Sequence, residues 1–178
     1  MEDLQLSYKN SRIHYLCFGS GKKIAVCFHG YGQTADTFGF LEKYAGDDYR
    51  FYAIDLPFHG KSEWNEGLNF TTTDLLNILQ QISGLMEQKM TLIGFSLGGR
   101  VALSLYETIP DQVEKFILMA PDGLKVNFWY WLTTQTSLGN KLFAFTMRYP
   151  GWFFAFLKLI NKAGLANSSI FKFVNYYI

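Results

Sequence analysis

The stretch Gly94-Phe95-Ser96-Leu97-Gly98-Gly99 decides how this sequence folds. It follows an apolar run that is typical of a buried strand, and it precedes a segment with helical periodicity. A strand that turns abruptly into a helix holds the central Ser96 in a strained conformation, so Gly94 and Gly98 are needed to avoid side-chain clashes. The stretch therefore predicts a serine hydroxyl presented above a sheet, where the N-terminus of a helix favours negative charge.

Apolar runs of the same kind recur along the first two thirds of the chain. Four are continuously apolar, which is typical of parallel strands covered on both faces. They occupy residues 24–28, 51–54, 90–95 and 116–120, and residues 4–8 and 13–18 are typical of an antiparallel hairpin. Because segments with helical periodicity separate the four runs, we predict an α/β fold, a three-layer sandwich around a mostly parallel sheet.

Three of the intervening segments are predicted to be helical. The clearest has one apolar stripe behind a capping motif formed by Thr71 and Asp74. The stripe consists of Leu75, Ile78, Leu79, Ile82, Leu85 and Met86. Residues 97–109 form the second helix, and residues 38–45 form a shorter one.

Composition restricts the classes of protein to which the chain can belong. Its 178 residues are 49% hydrophobic and 17% charged, with a net charge of +1, which excludes global disorder and argues against nucleic-acid binding. Cys17 and Cys27 lie in apolar runs without metal-ligand spacing, so we expect reduced core thiols and no metal site. No signal peptide is visible, and we expect a cytoplasmic protein.

Charge and aromatic residues are distributed unevenly along the chain. Residues 123–178 contain six Lys or Arg, no Asp or Glu, and 15 of the 32 aromatic residues. We therefore predict two parts, a globular core at 1–122 and a basic, aromatic segment at 123–178. Residues 142–160 include charged residues and a proline, so we reject a transmembrane span, but contact with a membrane surface is one reading of this segment.

A second motif, His29-Gly30-Tyr31-Gly32, follows the first parallel strand. Acyl transfer needs two N–H donors that converge on the developing oxyanion. We predict that the backbone N–H of Leu97 is one donor and that of Tyr31 the other, with Gly30 and Gly32 allowing close approach to substrate. His29 itself is predicted to be a buried imidazole that bonds to loop carbonyls.

A third motif, at residues 55–62, is predicted to be a tight, hydrogen-bonded loop after the second parallel strand. Asp55 and His59 are interpreted as structural anchors of this loop rather than as reacting groups.

The three motifs, followed by Ala120-Pro121, resemble the α/β-hydrolase family in order and spacing over residues 12–122. The serine at the turn makes the likeness closer to esterases, lipases and carbon–carbon hydrolases than to dehalogenases or epoxide hydrolases. Phe58 stands where the family usually has glycine. The resemblance also implies that residues 123–178 begin a helical cap. Its aromatic residues would line an apolar pocket: Phe128, Trp129, Trp131, Phe153, Phe154 and Phe156.

Two members of the family's catalytic triad cannot be assigned. The family's order is serine, acid, histidine, but His14, His29 and His59 all precede Ser96. The carboxylates that follow Ser96 are Glu107, Asp111, Glu114 and Asp122, and even Asp122, which follows a strand, is better interpreted as a turn residue. Either the chain is the N-terminal part of a longer protein that supplies acid and base, which we favour, or it is a catalytically incomplete relative.

Taken with the resemblance, the residues predict a serine hydrolase that cleaves esters or related acyl bonds of an apolar substrate through an acyl-enzyme on Ser96. It would need no cofactor and no metal, and the 178 residues alone would be inactive. The alternative is a non-catalytic module that binds an apolar ligand or partner. An acyltransferase or lyase would share every visible residue. For residues 123–178, lining of the pocket ranks before membrane contact.

Overall fold

The computed structural model describes residues 1–121, 131–132, 135–149, 151–153 and 155. The chain divides into two compact units, Met1–Leu124 and Lys125–Ile178. The division falls close to residue 123, where the composition changes. That the second unit is a cap remains a prediction.

The first unit is built on one six-stranded sheet. Its strands are β1 (Glu2–Tyr8), β2 (Ser11–Phe18), β3 (Lys23–Phe28), β4 (Tyr49–Ile54), β5 (Met90–Phe95) and β6 (Val113–Met119). They lie in the order β1-β2-β4-β3-β5-β6. β3 pairs in parallel with β4 and β5, and β5 with β6, whereas the β1-β2 hairpin joins β4 antiparallel. The predicted fold class and hairpin are confirmed.

Helices cover both faces of the sheet. They are α1 (Leu41–Ala45), α2 (Thr72–Gln80) and α3 (Leu97–Thr108), with single 3₁₀ turns at Ala35–Phe38 and Pro110–Gln112. Side chains alternate along β3, so Val26 packs in the cluster that contains residues of α2 and α3, while Cys27 packs with Phe38 in the opposite cluster. This alternation produces the three-layer sandwich.

The helix at residues 72–80 confirms the capping motif but is shorter than its apolar stripe. The Thr71 hydroxyl accepts the Asp74 N–H (3.2 Å), and the Asp74 carboxylate accepts the Thr71 N–H (3.2 Å). Beyond Gln80 the chain forms turns that include Gly84, with φ at +76°, and Ile82 and Leu85 are nevertheless buried. The segment at 38–45 likewise divides between the 3₁₀ turn and α1.

Strand β6 differs from the prediction that all four parallel strands are covered on both faces. β6 lies at the edge of the described sheet, and its residues alternate between half-buried and exposed. Ile117 is 46% exposed and Met119 36%. In the described part of the chain, no strand pairs with the outer side of β6. The apolar run at residues 116–120, which predicts a buried strand, therefore forms an open edge of the sheet.

The two cysteines, Cys17 and Cys27, are free and buried, as predicted. Burial raises the pKa of the Cys27 thiol, which favours the inert, protonated form. None of the helices within the described ranges is long and apolar enough to cross a membrane.

In the second unit, α4 (Ser137–Arg148) begins after Thr136, whose hydroxyl accepts the N–H of Gly139 (3.0 Å). Of the predicted pocket-lining aromatic residues, Trp131 and Phe153 are described, at 47% and 37% exposure. Asp122 and the other four lie outside the described residues: Phe128, Trp129, Phe154 and Phe156.

Candidate active site

The carboxyl ends of the parallel strands meet at one edge of the sheet, because β3, β4, β5 and β6 run in the same direction. The residues that immediately follow these strands are His29, Asp55, Ser96 and Ala120. Reactive groups in open α/β sheets gather at this edge. The three sequence motifs are therefore brought together by the topology.

Ser96 occupies the turn between β5 and α3 with φ at 49° and ψ at −116°, a conformation that L-residues rarely adopt. Two backbone hydrogen bonds hold it there. Its N–H donates to the Met119 carbonyl (3.0 Å), and its own carbonyl accepts the Gly99 N–H (2.9 Å). Such conformations cost about 1–3 kcal/mol and persist only where the surroundings fix them.

Glycines make the turn sterically possible. A Cβ at Gly98 would overlap the Phe28 carbonyl at the end of β3. A Cβ at Gly94 would lie 2.6 Å from the Gly98 oxygen, and one at Gly99 would lie 2.8 Å from Pro121 Cβ. The first turn of α3 thus lies directly against the end of β3 and against Pro121, the second residue after β6.

The loop after β3 lies beside this turn. A Cβ at Gly30 would lie 2.9 Å from the Phe95 ring, whereas Gly32 has open space and a φ of +70°, which favours glycine for conformational reasons. The Gly30 N–H donates to the Gln33 side-chain oxygen (3.1 Å). The sequence analysis did not predict a role for Gln33. The only feature of the sequence that points to this hydrogen bond is a polar side chain one residue after Gly32.

Two backbone N–H groups at this edge are available as donors. Within the described residues, no hydrogen bond is formed by the N–H of Tyr31 or by that of Leu97, the first residue of α3. The partial positive charge at a helix N-terminus adds to the attraction that such donors exert on an anion. The arrangement can stabilise negative charge next to Ser96, and its role as an oxyanion hole stays a prediction.

His29 is fully buried and both of its ring nitrogens are engaged. Nδ1 is 2.8 Å from the Gly30 carbonyl oxygen, and Nε2 accepts the Leu56 N–H (3.0 Å), so these partners assign the neutral tautomer with its proton on Nδ1. Burial lowers the pKa of His29, and the neighbouring His59 lowers it further against the opposing effects of Gly30 and Asp55. His29 therefore connects the loops after β3 and β4 and has no free nitrogen to act as a base.

Asp55 is the buried centre of the loop after β4. Its carboxylate accepts the N–H groups of Ala35 (2.6 Å) and Lys61 (2.8 Å) and lies 2.7 Å from His14 Nδ1. The residue is 1% exposed, and it links three segments that are distant in sequence. This geometry agrees with its interpretation as a structural anchor.

No candidate general base is hydrogen-bonded to Ser96 within the described residues. The Ser96 hydroxyl has no hydrogen-bond partner there, and the nitrogens of His14 contact Asp55 and Asp3. His59 Nδ1 lies 2.9 Å from the Pro57 carbonyl oxygen, so this ring too is directed into its own loop. Nor does any group of three or more His, Cys, Asp or Glu in the described ranges have the arrangement of a metal site.

Exposed aromatic side chains belong to the same loops. Tyr31 is 83% exposed. Its ring packs edge-to-face against the His59 ring, with 5.4 Å between the two ring centres. Phe58 is 59% exposed, and its φ of 68° explains why a glycine would be more relaxed there. The first unit also has an open cleft of about 270 Å³. It is lined by Phe70, Thr71, Thr72, Leu75, Leu97, Arg100, Val101 and Ser104.

Comparison with known proteins agrees with this architecture. A family model described as alpha/beta hydrolase fold matches residues 25–172. The pimeloyl-[acyl-carrier protein] methyl ester esterase of Aeromonas salmonicida is 33% identical over 103 residues, which are 58% of this chain and 39% of that protein. A serine hydrolase-like protein of Danio rerio is 30% identical over 100 residues, covering 55% of this chain and 31% of the relative.

Solved structures show the same fold. The thioesterase domain from the curacin biosynthetic pathway superposes with a TM-score of 0.63 at 24% identity, over 81% of this chain and 52% of that domain. At this identity the likeness concerns the fold alone. The chain spans about two fifths of the length of the bacterial esterase and half of the thioesterase domain.

The crowding at Gly98 predicts a large effect of one methyl group. We expect Gly98→Ala to lower the free energy of unfolding by about 3 kcal/mol or more, because backbone atoms of Phe28 and His29 cannot move aside cheaply. Urea denaturation would measure it. Gly151→Ala is the matched control, since nothing lies within 4 Å of its added Cβ. Equal stability of the two variants would contradict the steric explanation.

The buried His29 predicts a pH dependence of stability. Its folded-state pKa is below the ordinary 6.5, so the unfolded chain binds a proton that the folded chain resists. The stability that the neutral ring contributes is fully present above pH 6.5 and is lost as the pH falls through the folded-state pKa. Urea denaturation between neutral and mildly acidic pH should show this loss, up to about 1.4 kcal/mol per pH unit. His29→Gln should reduce the slope, and an unchanged slope would contradict the prediction.

Proposed function

Because the chain belongs to the alpha/beta hydrolase family, we propose that it forms the nucleophile-bearing part of a serine hydrolase that cleaves carboxylic esters. The observation that carries this proposal is the strained turn at Ser96, whose hydroxyl lies at the carboxyl edge of a parallel sheet with unpaired backbone N–H groups beside it. A strained residue at such an edge is typical of a functional site.

In the proposed reaction, Ser96 Oγ attacks the ester carbonyl carbon while a base removes the hydroxyl proton. The N–H groups of Tyr31 and Leu97 donate to the oxyanion of the tetrahedral intermediate. The proton passes to the leaving alcohol as the carbon–oxygen bond breaks, which leaves an acyl-enzyme on Ser96. Water then attacks this ester, and its proton returns through the base to Ser96 as the carboxylic acid departs.

The acid and the base of this reaction are proposed to lie outside the 178 residues. The nitrogens of His29 are both engaged, and no histidine follows Ser96 in the sequence. The similarity to an esterase in which this chain covers 39% of the length supports the same proposal. We therefore propose that the chain alone has no significant turnover.

We propose an apolar acyl group for the substrate. The support is the pair of aromatic side chains, Tyr31 and Phe58, that lie exposed on the loops around Ser96. Aromatic residues beside a binding site favour apolar ligands because contact removes the apolar surface of both from water.

A second candidate function is a non-catalytic module that holds an apolar ligand on the same fold. The absence of a histidine after Ser96 favours it. Without an imidazole to accept its proton, a serine hydroxyl is a poor nucleophile at neutral pH.

The first test is directed at Ser96 itself. A fluorophosphonate probe should label the complete protein that carries this chain, and Ser96→Ala should abolish labelling and lower ester hydrolysis by on the order of 10⁶. Ser104→Ala is the matched control, because this hydroxyl lies in the same helix but bonds to Thr72 (2.5 Å). Labelling that survives in the Ser96→Ala variant would contradict the assignment of the nucleophile.

The second test separates the two candidate functions. The reading frame beyond the codon for Ile178 should encode an Asp and a later His, and adding that segment should give ester hydrolysis well above that of the 178 residues alone. The measurement is the initial rate with a chromogenic short-chain ester. A stop codon at that position, together with tight binding of an apolar probe, would favour the binding module.

A further inference from the structure

Helix α4 exposes a row of apolar side chains to solvent. Leu138, Leu142, Phe145 and Tyr149 recur at spacings of four, three and four residues, which places them along one side of the helix. Their exposed fractions are 80%, 55%, 51% and 53%. Trp152, three residues further on, is 41% exposed. We call these five residues the α4 stripe.

The aromatic members of the α4 stripe form a connected cluster at the C-terminal end of the helix. The Phe145 ring lies 5.3 Å from that of Tyr149 and 6.3 Å from that of Trp152. Tyrosine and tryptophan side chains are amphipathic, and they are enriched where an apolar environment meets water. A soluble surface rarely leaves so many large apolar residues together without a binding role.

Cations flank the α4 stripe on one side. Lys141 and Arg148 are seven residues apart and therefore lie on the same side of the helix. Each immediately precedes a member of the α4 stripe, Leu142 or Tyr149, and lies about 100° from it around the helix axis. The Arg148 guanidinium lies 5.7 Å from the centre of the Tyr149 ring. Long basic side chains in this position can extend towards anionic groups while their aliphatic stems follow the apolar surface.

We propose that α4 binds the surface of an anionic lipid bilayer, lying in its plane with the α4 stripe inserted at the boundary between headgroups and acyl chains. Charge is the reason for choosing this partner: residues 123–178 contain six basic and no acidic residues. Apolar burial and attraction to anionic headgroups then act together. The proposal goes beyond ester hydrolysis and does not depend on it.

A second copy of the chain fits the α4 stripe less well. If two α4 helices packed stripe to stripe, Lys141 and Arg148 of both copies would lie along the same seam. No carboxylate between residues 123 and 178 is available to pair with them. Like charges along a helix interface oppose association, whereas an anionic surface neutralises them.

The test is co-sedimentation of the whole chain with lipid vesicles. Vesicles of phosphatidylcholine and phosphatidylglycerol in equal amounts should bind the chain, and vesicles of phosphatidylcholine alone should bind it markedly less. Phe145→Asp should lower the partition coefficient by about tenfold or more, since an aromatic side chain no longer enters the apolar layer. The double variant Lys141→Gln with Arg148→Gln should lose about fivefold per residue, selectively on the anionic vesicles.

Phe143→Asp is the matched control. Phe143 is in the same helix and 53% exposed, but it is two positions before Phe145 and therefore lies about 200° away around the helix axis. Its binding should be close to that of the unmodified chain. Circular dichroism confirms that each variant is folded, and the double Gln variant keeps the apolar surface intact should Phe145→Asp not fold.

Three outcomes would overturn the proposal. The first is equal binding to neutral and anionic vesicles. The second is an equal loss for Phe143→Asp and Phe145→Asp. The third is a chain that does not bind vesicles but forms a dimer, and a dimer that the Phe145→Asp substitution dissociates. That result would show that the α4 stripe binds a second copy of the chain.

Discussion

The approach of the Gly98 backbone to the Phe28 carbonyl is the steric constraint on which the rest of the first unit depends. Only with no side chain at that position can α3 begin directly against β3. This contact brings the turn between β5 and α3 next to the loop after β3, and it fixes Ser96 in a conformation with positive φ. Beside that turn, the backbone N–H groups of Tyr31 and Leu97 form no hydrogen bond within the described residues. The start of α3 and the position of the candidate nucleophile thus depend on a single short distance.

Buried polar groups hold the loops around that turn. Asp55 accepts two backbone N–H groups and contacts His14, while His29 connects the loops that follow β3 and β4. An unsatisfied carboxylate or imidazole inside the protein would be costly, so each of these hydrogen bonds is needed once the side chain is buried. Rigid loops are the requirement for donors that must not reorganise when charge develops. The polar network therefore holds together the loops that surround the turn at Ser96.

The sequence predicted what depends on local pattern and could not predict what depends on distant neighbours. The continuous apolar runs identified β3, β4 and β5, and the Thr71–Asp74 motif identified the start of α2. Both were predictable because strand burial and helix capping depend on the residue types within a few neighbouring positions. The exposure of Ile117 was not predictable, since it depends on what lies beside β6. The end of α2 at Gln80 was hidden because Ile82 and Leu85 stay buried in turns and continue the stripe. At the site, the glycines were predictable from sterics, whereas the hydrogen bond between Gly30 and Gln33 required the folded loop.

The left-handed backbone at Phe58 has a consequence for natural variation. A non-glycine residue with φ at 68° costs about 1–2 kcal/mol of folding free energy. Because the Phe58 side chain is 59% exposed, its burial offsets little of this cost. Random substitution at this codon should drift towards glycine wherever thermal tolerance alone is selected. Retention of a bulky ring there would instead indicate selection on what the exposed side chain binds. One torsion angle thus makes position 58 an indicator of which pressure shaped a given lineage.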